Sequence, residues 1–467
     1  MFRLINIDNL KSLNDVVAGT LSCQNEKFTS IVVDSRKATE GSVFLALKGS
    51  KYNGNDFCQE AINKGAVAVI SDNNADHINT IKVDSGYIAL LKLAQYQQQQ
   101  IKPITVAITG SNGKTTVKEM LAHLCTNQNA VVTHKNENNE FGIPFTVLKL
   151  RQETKYLILE CGARNLGDFD LISEYLEFDI IAITNINNSH VGVFGSIENI
   201  IKTKTRLFDG LKKDGLILDG VGFKDISKPL NKWSGDTSSV SIYQNQSMEF
   251  WKSSSDPIND VGKYNLSFHN KEDEIYTIDT INLGAKHNEK NALISFLIAK
   301  KIGIELEVIL NKLSTIQRTL SNRFFIKRIG RHIFVDDTYN ANPASMHAAI
   351  NELISNKFYP KNKVIILGDM LELGIDATKE HLRLLEKISL IKDLESIFIK
   401  GDNFKKALEE FNLSQKNDSI YYFDKTEEFP IERTLNLLKK PSVILVKGSR
   451  GMKMEKIVDL LSINIEK

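Results

Sequence analysis

An apolar, β-branched run followed at once by a glycine-rich loop and a helical stretch constrains the fold more than any other part of the sequence. The run is Ile104–Thr109, the loop reads Gly110-Ser-Asn-Gly-Lys-Thr-Thr, and the helical pattern begins at Val117. A strand, such a loop and a helix form a phosphate-binding loop, in which backbone N–H groups and the positive end of the helix surround phosphate groups. Ile108 stands where the long motif has its first glycine, so the loop is the shorter G-x-x-G-K-T form.

The loop predicts a bound nucleoside triphosphate, and ATP is the expected ligand. Lys114 would place its charge at the terminal phosphates, and the Thr115 hydroxyl would bind Mg²⁺. The alternative is a glycine turn with a solvated lysine, which the flanking strand and helix disfavour. The predicted nucleotide-binding residues of the loop are Gly110, Ser111, Asn112, Gly113, Lys114, Thr115 and Thr116.

Polar residues follow two further apolar runs of the same region. Positions 156–159 end at Glu160, and positions 179–184 end at Asn185, with His190 shortly after. Near-continuous apolar runs are typical of parallel strands, and ligands of such sheets bind beyond the carboxyl ends of the strands. Glu160 is therefore a candidate Mg²⁺ ligand, with a solvated loop acid as the alternative. His190 is a candidate ligand too, and a hydrogen-bonded structural histidine is its alternative.

The length of 467 residues and the distribution of apolar runs predict three domains. We expect an α/β protein with a small α/β N-terminal domain at 1–83, a central P-loop domain with an ATPase-like parallel sheet at 84–321, and a C-terminal Rossmann-like domain at 322–467. A glutamine run at 97–100, followed by Lys102-Pro103, indicates a helix end and a boundary. The irregular pattern of 216–283 indicates short strands and surface loops.

The composition argues against several functional classes. Lys and Arg number 59 and Asp and Glu 57, so the net charge of +2 gives no reason to expect a nucleic-acid partner. No apolar run approaches the roughly 18–20 residues that cross a bilayer, and polar residues interrupt the amino-terminal stretch, so neither membrane insertion nor a secretory signal is expected. The four cysteines form no zinc or disulfide pattern. These features predict a cytoplasmic protein.

Strings spread along nearly the whole chain resemble, in order and spacing, those of the Mur ligases, which are ATP-dependent peptide-bond-forming enzymes that build the peptidoglycan precursor. In the first and second parts they are Asp34-Ser-Arg36, Gly41-x-Val-Phe-x-Ala-Leu-x-Gly49, the phosphate loop, Asn136-x-Asn-Asn-x-Phe-Gly-Ile-Pro144, Glu160-x-Gly-Ala163, Thr184-Asn-Ile186 with His190, and Gly284-x-x-His-Asn-x-x-Asn291. In the third part they are Asp336-Asp-x-Tyr-Asn-Ala-Asn-Pro343, Leu367-Gly-Asp-Met-x-Glu-Leu-Gly374 and Lys447-Gly-Ser-Arg450.

The resemblance implies a reaction and its partners. Two of the third-part strings look most like the branch of the family that joins D-alanyl-D-alanine to UDP-N-acetylmuramoyl-tripeptide. The tripeptide carboxylate would attack the γ-phosphate of ATP, and the dipeptide amine would then attack the resulting acyl phosphate. A monomer is expected, and the third domain would close on ATP bound to the second. The alternatives are another Mur ligase, a ligase similar to folylpolyglutamate synthase, or a non-catalytic nucleotide-binding regulator.

The resemblance also implies roles for individual residues. Lys114, His190 and Lys204 would be catalytic, and Thr115, Glu160, His190 and Lys204 would hold Mg²⁺. Lys204 aligns with the lysine that the family carbamylates, although a solvated helix lysine is the alternative reading of this residue alone. Further nucleotide-binding residues would be His287, Asn288 and Asn291 on the adenine side, Arg323 from the third domain and Asp337 near the ribose. The substrate-binding residues would be Ser35, Arg36, Asn138, Asn340, Asn342, Lys447 and Arg450.

Overall fold

The chain folds around three separate β-sheets, each built from its own segment of the sequence in this computed structural model. The predicted three-domain α/β architecture is confirmed, while the division at 83/84 and 321/322 stays a prediction. None of the helices in the described part of the chain is both long and apolar enough to span a bilayer. The structure describes residues 1–49, 51–73, 78–187, 191–223, 239–245, 247–258, 261–316, 322–371, 373–391, 394–414 and 419–465.

The first sheet has five strands in the order β1-β5-β4-β3-β2, all parallel except for β1. Its strands are β1 (Thr20–Leu21), β2 (Ser30–Val32), β3 (Ser42–Leu45), β4 (Ala66–Ser71) and β5 (Thr80–Lys82). The helices of this segment are α1 (Leu10–Val17) and α2 (Cys58–Asn63). Its apolar strand residues are buried because helices and neighbouring segments cover both faces of the sheet.

The long helix α3 (Gly86–Ile101) joins the first sheet to the second. It ends where the glutamine run and Lys102-Pro103 predict a helix end, but Gln97 and Gln98 are buried, while Gln99 and Gln100 are exposed. Gln97 accepts from the Ile5 amide at 3.1 Å and donates to the Leu150 carbonyl at 2.9 Å, while Gln98 donates to the Glu177 carbonyl at 2.7 Å. Gln97 therefore links the first domain to the central one, because its side chain satisfies backbone groups of both, whereas Gln98 bonds within the central segment.

The central sheet has nine strands in the order β14-β13-β12-β11-β10-β9-β6-β8-β7. Its strands are β6 (Ile104–Thr109), β7 (Ala130–Val132), β8 (Tyr156–Glu160), β9 (Phe178–Ile183), β10 (Leu211–Asp219), β11 (Ser239–Gln244), β12 (Ser247–Pro257), β13 (Lys263–Asn270) and β14 (Ile275–Asn282). Its helices are α4 (Lys114–Leu124), α5 (Gly142–Val147), α6 (Asp170–Tyr175), α7 (Val191–Phe194), α8 (Ile197–Thr205), α9 (Glu289–Lys301) and α10 (Leu306–Ser314).

Only half of the central sheet is parallel. Strands β6–β10 form the predicted parallel part, whereas β11–β14 extend it as antiparallel strands through the region where the sequence predicts short strands and loops. The difference has a visible cause in β13, where Tyr264, Leu266 and Phe268 are buried and alternate with half-exposed polar residues. Such alternation is typical of an antiparallel sheet with one packed face.

The third sheet has six strands in the order β15-β16-β20-β17-β18-β19, parallel except for β15. Its strands are β15 (Phe325–Ile329), β16 (His332–Asp337), β17 (Asn362–Gly368), β18 (Leu394–Lys400), β19 (Ile420–Phe423) and β20 (Ser442–Lys447). Its helices are α11 (Pro343–Ser355), α12 (Ala377–Ser389), α13 (Asp402–Ser414), α14 (Ile431–Leu437) and α15 (Glu455–Ile465).

A buried carboxylate fixes the third domain to the central one. Glu352 on α11 accepts the Tyr264 hydroxyl at 2.8 Å and the Lys286 amide at 3.2 Å, both from the central segment, and the Asn356 side chain at 2.9 Å. Burial and the charge of Glu352 raise the pKa of Tyr264, so its hydroxyl keeps the proton that it donates. A buried carboxylate is stable only when hydrogen-bond donors surround it. Because two of the donors to Glu352 come from the central segment, Glu352 orients the two domains relative to each other.

We expect Tyr264→Phe to lower the free energy of unfolding by about 1–3 kcal/mol, because it leaves a buried carboxylate without one donor. Differential scanning calorimetry measures this as a lower midpoint for the transition that contains the third domain. Tyr422→Phe is the control, since it removes a hydrogen bond to Asp424 on the exposed surface. Equal midpoints for the two variants would contradict the anchoring role of Glu352.

Candidate active site

The phosphate loop connects β6 to α4 and depends on glycine at two positions. Gly110 has a φ of 140°, and a Cβ there would lie 2.0 Å from the Thr184 hydroxyl oxygen. Gly113 has a φ of 82°, and its Cβ would lie 2.5 Å from the Asn291 side-chain oxygen. Positive φ angles and close neighbours both favour glycine. The first residues of α4 line the cleft, and the N–H groups of a helix start, which lack intrahelical partners, can bind an anion there.

The end of β9 clamps this loop. The Asn112 amide donates to the Asn185 side-chain oxygen at 2.9 Å, and the Asn112 carbonyl accepts from Thr184 at 2.5 Å and from the Asn185 side chain at 3.0 Å. The Ser111 amide donates to the Asn185 carbonyl at 2.9 Å. Sequence reasoning places Asn185 at a strand end but does not find this clamp, which rigidifies the loop before any ligand binds.

Two lysines converge on one backbone carbonyl. Lys114 donates to the Gly110 carbonyl at 2.8 Å, and Lys204, on α8, donates to the same oxygen at 3.1 Å. Lys204 is only 4% exposed. Burial and the neighbouring charge of Lys114 lower the pKa of Lys204 well below its usual value, and burial likewise lowers the pKa of Lys114. The surroundings of the Gly110 carbonyl therefore favour either an anion or a neutral amine.

The predicted Mg²⁺ carboxylate lies directly beside the loop. Oε1 of Glu160, at the end of β8, accepts from the Thr115 hydroxyl and from the Asn138 amide, both at 2.8 Å. Its Oε2 is buried without a hydrogen-bond partner among the described residues and lies 3.7 Å from the Lys118 amine. Sequence reasoning missed Lys118, although it stands one helical turn after Lys114. It is 1% exposed and also contacts Glu119 at 2.9 Å.

The donors present fit Mg²⁺. Thr115 and Glu160 offer oxygen atoms, which Mg²⁺ prefers, and no described residue donates a hydrogen bond to one of the Glu160 oxygens. Across the described ranges, no three His, Cys, Asp or Glu side chains are grouped closely enough to hold a metal. A short protein ligand set suits Mg²⁺, because this ion usually keeps several waters and binds substrate phosphates. His190, the other predicted ligand, lies outside the described residues.

The adenine-side residues predicted from the sequence border the loop. Asn291 packs on Gly113 and donates to the Asn288 side chain at 2.9 Å, and Asn288 donates to the Leu283 carbonyl at 2.9 Å. His287 is exposed and packs edge-on against Phe324 of the third domain. His287 and Asn288 directly precede α9, and Asn291 lies in its first turn, where the central and third domains meet.

The third domain forms the opposite wall of the cleft. Lys447, 2% exposed, pairs with Asp337 at 2.6 Å and donates to the Asn340 carbonyl at 2.9 Å. Asn342 caps α11 and donates to the Asn112 side chain of the phosphate loop at 2.5 Å. The third domain therefore touches the loop itself.

Most of the predicted residues surround one cleft of about 1310 Å³. Four predicted residues that the structure describes are not among those that line it: Ser35, Arg36, Gly110 and Lys204. Ser35 donates to Glu60 at 2.9 Å, and the exposed Arg36 forms a two-point pair with Asp34. Predicted residues that do line the cleft are Ser111, Asn112, Gly113, Lys114, Thr115, Thr116, Asn138, Glu160, His287, Asn288, Asn291, Arg323, Asp337, Asn340, Asn342, Lys447 and Arg450.

Comparisons with known proteins indicate the same family along nearly the whole chain. Family models described as "Mur ligase family, catalytic domain", "Mur ligase middle domain" and "Mur ligase, glutamate ligase domain" match residues 27–104, 108–299 and 322–450. The chain is 33% identical over 468 residues to a protein of Buchnera aphidicola named UDP-N-acetylmuramoyl-tripeptide–D-alanyl-D-alanine ligase, covering 97% of this chain and 98% of that protein. The chain belongs to the Mur ligase family.

Other relatives of this Mur ligase agree with that result. A Bacillus subtilis protein with the same ligase name is 31% identical over 457 residues, covering 96% of this chain and 97% of that protein. A crystal structure of MurF from Acinetobacter baumannii has a TM-score of 0.82 and 26% identity, covering 98% of this chain and 100% of that one. A MurF ligase from Thermotoga maritima in complex with ADP shares the fold, with a TM-score of 0.75, 24% identity and coverages of 94% and 98%. As a Mur ligase, the chain is an ATP-dependent enzyme that forms C–N bonds.

We expect Gly113→Ala to weaken ATP binding at least about ten-fold, because the new methyl group would displace Asn291 or the start of α4. Isothermal titration calorimetry with a non-hydrolysable ATP analogue measures the affinity. Gly303→Ala is the matched control: its φ of 84° resembles that of Gly113, but its Cβ meets nothing within 4 Å. Equal losses of affinity in both variants would contradict the role of the close contact between position 113 and Asn291.

Proposed function

We propose that this Mur ligase uses ATP to join D-alanyl-D-alanine to UDP-N-acetylmuramoyl-tripeptide in the synthesis of the peptidoglycan precursor. The relatives that cover nearly the whole chain carry this ligase name. The observation that carries the proposal is the convergence of Lys114 and Lys204 on the loop carbonyl of Gly110, opposite a third-domain wall that contains Arg323 and Lys447. Such a cleft suits a polyphosphate whose terminal group reacts with a carboxylate.

The reaction would proceed in two displacements. The tripeptide carboxylate attacks the γ-phosphorus of ATP, the bond to the bridging oxygen breaks, and ADP leaves with the formation of an acyl phosphate. The amine of D-alanyl-D-alanine attacks the acyl carbon, phosphate leaves, and the amine loses a proton. Transfers of this kind need charge stabilisation and alignment more than a protein nucleophile. Lys114 and the N–H groups at the start of α4 would provide that charge on the loop side.

Thr115 and Glu160 would hold Mg²⁺, with His190 as a further proposed ligand. Bound there, the ion would neutralise phosphate charge and hold the phosphates in line. Asn138 would orient Glu160, since its amide already donates to Oε1 at 2.8 Å. Lys118 would offset part of the carboxylate charge from the buried side.

Lys204 would act as a carbamate. Its burial and its lowered pKa favour the neutral amine that reacts with CO₂. The resulting anion could ligate Mg²⁺, which an ammonium would repel. Arg206, two residues later, leaves the charge balance around Lys204 unchanged, because it is half-exposed and its own charge is paired with Asp170 at 3.1 Å and Asp209 at 2.5 Å.

The remaining proposed roles are contacts with the three substrates. We propose that Asn288 and Asn291 flank the adenine together with His287, that Asp337 lies near the ribose, and that Arg323 reaches the terminal phosphates. Asn340, Asn342, Lys447 and Arg450 would face the dipeptide or the reacting atoms. Ser35 and Arg36 would contact the UDP end of the other substrate from the first domain. A cytoplasmic monomer is proposed.

A product assay tests the function. We expect purified protein with UDP-N-acetylmuramoyl-tripeptide, ATP, Mg²⁺ and D-alanyl-D-alanine to give the amide-linked product, with one ADP and one phosphate per bond, as measured by mass spectrometry and phosphate release. Lys114→Ala should abolish turnover while keeping the thermal midpoint, because its amine serves bound phosphate rather than a core. Phosphate release that depends on glutamate instead of the dipeptide would contradict the proposal.

Lys204→Ala should lose activity and regain part of it when a short carboxylate such as acetate is added, because the carboxylate replaces the carbamate. Removal of bicarbonate should slow the wild-type enzyme. Lys202→Ala, on the exposed face of the same helix, is the control and should keep the wild-type rate. Wild-type activity in Lys204→Ala, unchanged by bicarbonate removal, would exclude the ligand role.

A further inference from the structure

We propose that Tyr339 is a positioning residue for Arg323: its ring holds the guanidinium toward the terminal phosphates, and its hydroxyl ties that arrangement to the central domain. This inference rests on the proposed function, in which Arg323 reaches ATP. It gives Tyr339 a role in nucleotide binding and turnover that depends on contact between the central and third domains.

The first observation is the stacking of the two side chains. The guanidinium carbon of Arg323 lies 3.6 Å from the centroid of the Tyr339 ring. Both residues line the cleft. A planar guanidinium on an aromatic face gains a cation–π contact and loses much of its freedom to rotate. Nη2 of Arg323 is enclosed and has no hydrogen-bond partner within the described ranges, so the ring holds a cation that still has a donor to offer an anion.

The second observation is the backbone that presents Arg323. Its neighbours Asn322 and Phe324 have φ angles of 61° and 54°, in the left-handed region that is costly for a phenylalanine. The segment keeps this shape because the Phe324 amide donates to Asp337 at 3.1 Å and the Tyr339 amide donates to the Asn322 carbonyl at 3.0 Å. The same hydrogen bonds fix the ring and the guanidinium relative to each other.

The third observation is the contact across the cleft. The Tyr339 hydroxyl donates to the side-chain oxygen of Asn136, which belongs to the central domain. A second bond between the domains, from Asn342 to Asn112, lies at the phosphate loop. Opening of the cleft would break both bonds, so Tyr339 links the position of Arg323 to closure of the third domain.

Arg323→Met, Tyr339→Leu and the double variant form a cycle that tests the stack. We expect Tyr339→Leu to lower kcat and to weaken binding of a non-hydrolysable ATP analogue, each about ten-fold. In the Arg323→Met background the same change should cost less than about two-fold, because the cation that the ring holds is gone. A Tyr339→Trp variant keeps an aromatic face and should retain most of the affinity, which separates stacking from misfolding.

Tyr339→Phe and Asn136→Ala test the hydroxyl contact. Each should lower kcat/KM about three-fold, and their combination should cost no more than one of them, because both remove the same hydrogen bond. For the stacking variant Tyr339→Leu, the matched control is Tyr421→Leu. It removes a similar stack away from the cleft, in which the guanidinium carbon of Arg433 lies 3.7 Å from the centroid of the Tyr421 ring. This variant should leave kcat and nucleotide affinity unchanged.

The outcomes separate this inference from the proposed function. Losses that multiply in the double variant of Tyr339 and Arg323, or wild-type affinity and kcat in Tyr339→Leu, would overturn the positioning role while leaving the ligase assignment intact. Wild-type nucleotide affinity and kcat in Arg323→Met would instead refute the proposed role of Arg323, and the inference would fall with it.

Discussion

The site depends on the Gly110 carbonyl, where two largely enclosed amines meet. Lys114 and Lys204 donate to that oxygen at 2.8 and 3.1 Å, and Lys118 lies nearby on the buried side of Glu160. Lys118 pairs with both Glu160 and Glu119, whereas Lys114 and Lys204 share one carbonyl oxygen, so the local charge is unbalanced when these two amines are both protonated. Burial makes such an excess costly. Bound phosphate or loss of a proton from Lys204 would relieve it, and the proposed reaction uses both.

The loop that carries this oxygen is held before any ligand binds. Gly110 lies so close to Thr184 that no side chain fits, and the Asn185 side chain bonds both the backbone N–H and the backbone carbonyl of Asn112. A rigid loop aligns its N–H groups without a cost in reorganisation when phosphate charge changes, which is the form of catalysis that phosphoryl transfer requires. The same rigidity explains why glycine at 110 and 113 is a requirement of packing as well as of backbone angle.

Local pattern was sufficient for the strands and helices that carry the chemistry. The strand β6, the short phosphate loop and the polar residues at strand ends are contiguous in sequence, so the parallel part of the fold and Glu160 beside Thr115 could be predicted. The antiparallel strands were not, although the alternation of β13 around Leu266 indicates them. The roles of Lys118 and Tyr339 could not be predicted for a different reason. Their partners Glu160 and Arg323 are 42 and 16 positions away in the sequence, and only the tertiary structure brings them together.

The distribution of charge between two domains has a consequence for the reaction. The loop side holds Lys114 at the phosphates, whereas Arg323 is carried by the third domain and held there by Tyr339. A cation on a separate body adds its charge only when that body is docked, and docking also removes water that would hydrolyse an acyl phosphate. The Tyr339–Asn136 and Asn342–Asn112 hydrogen bonds join the two sides of the cleft. On the proposed mechanism, full stabilisation of the transferring phosphoryl group and protection of its product therefore arise from the same movement.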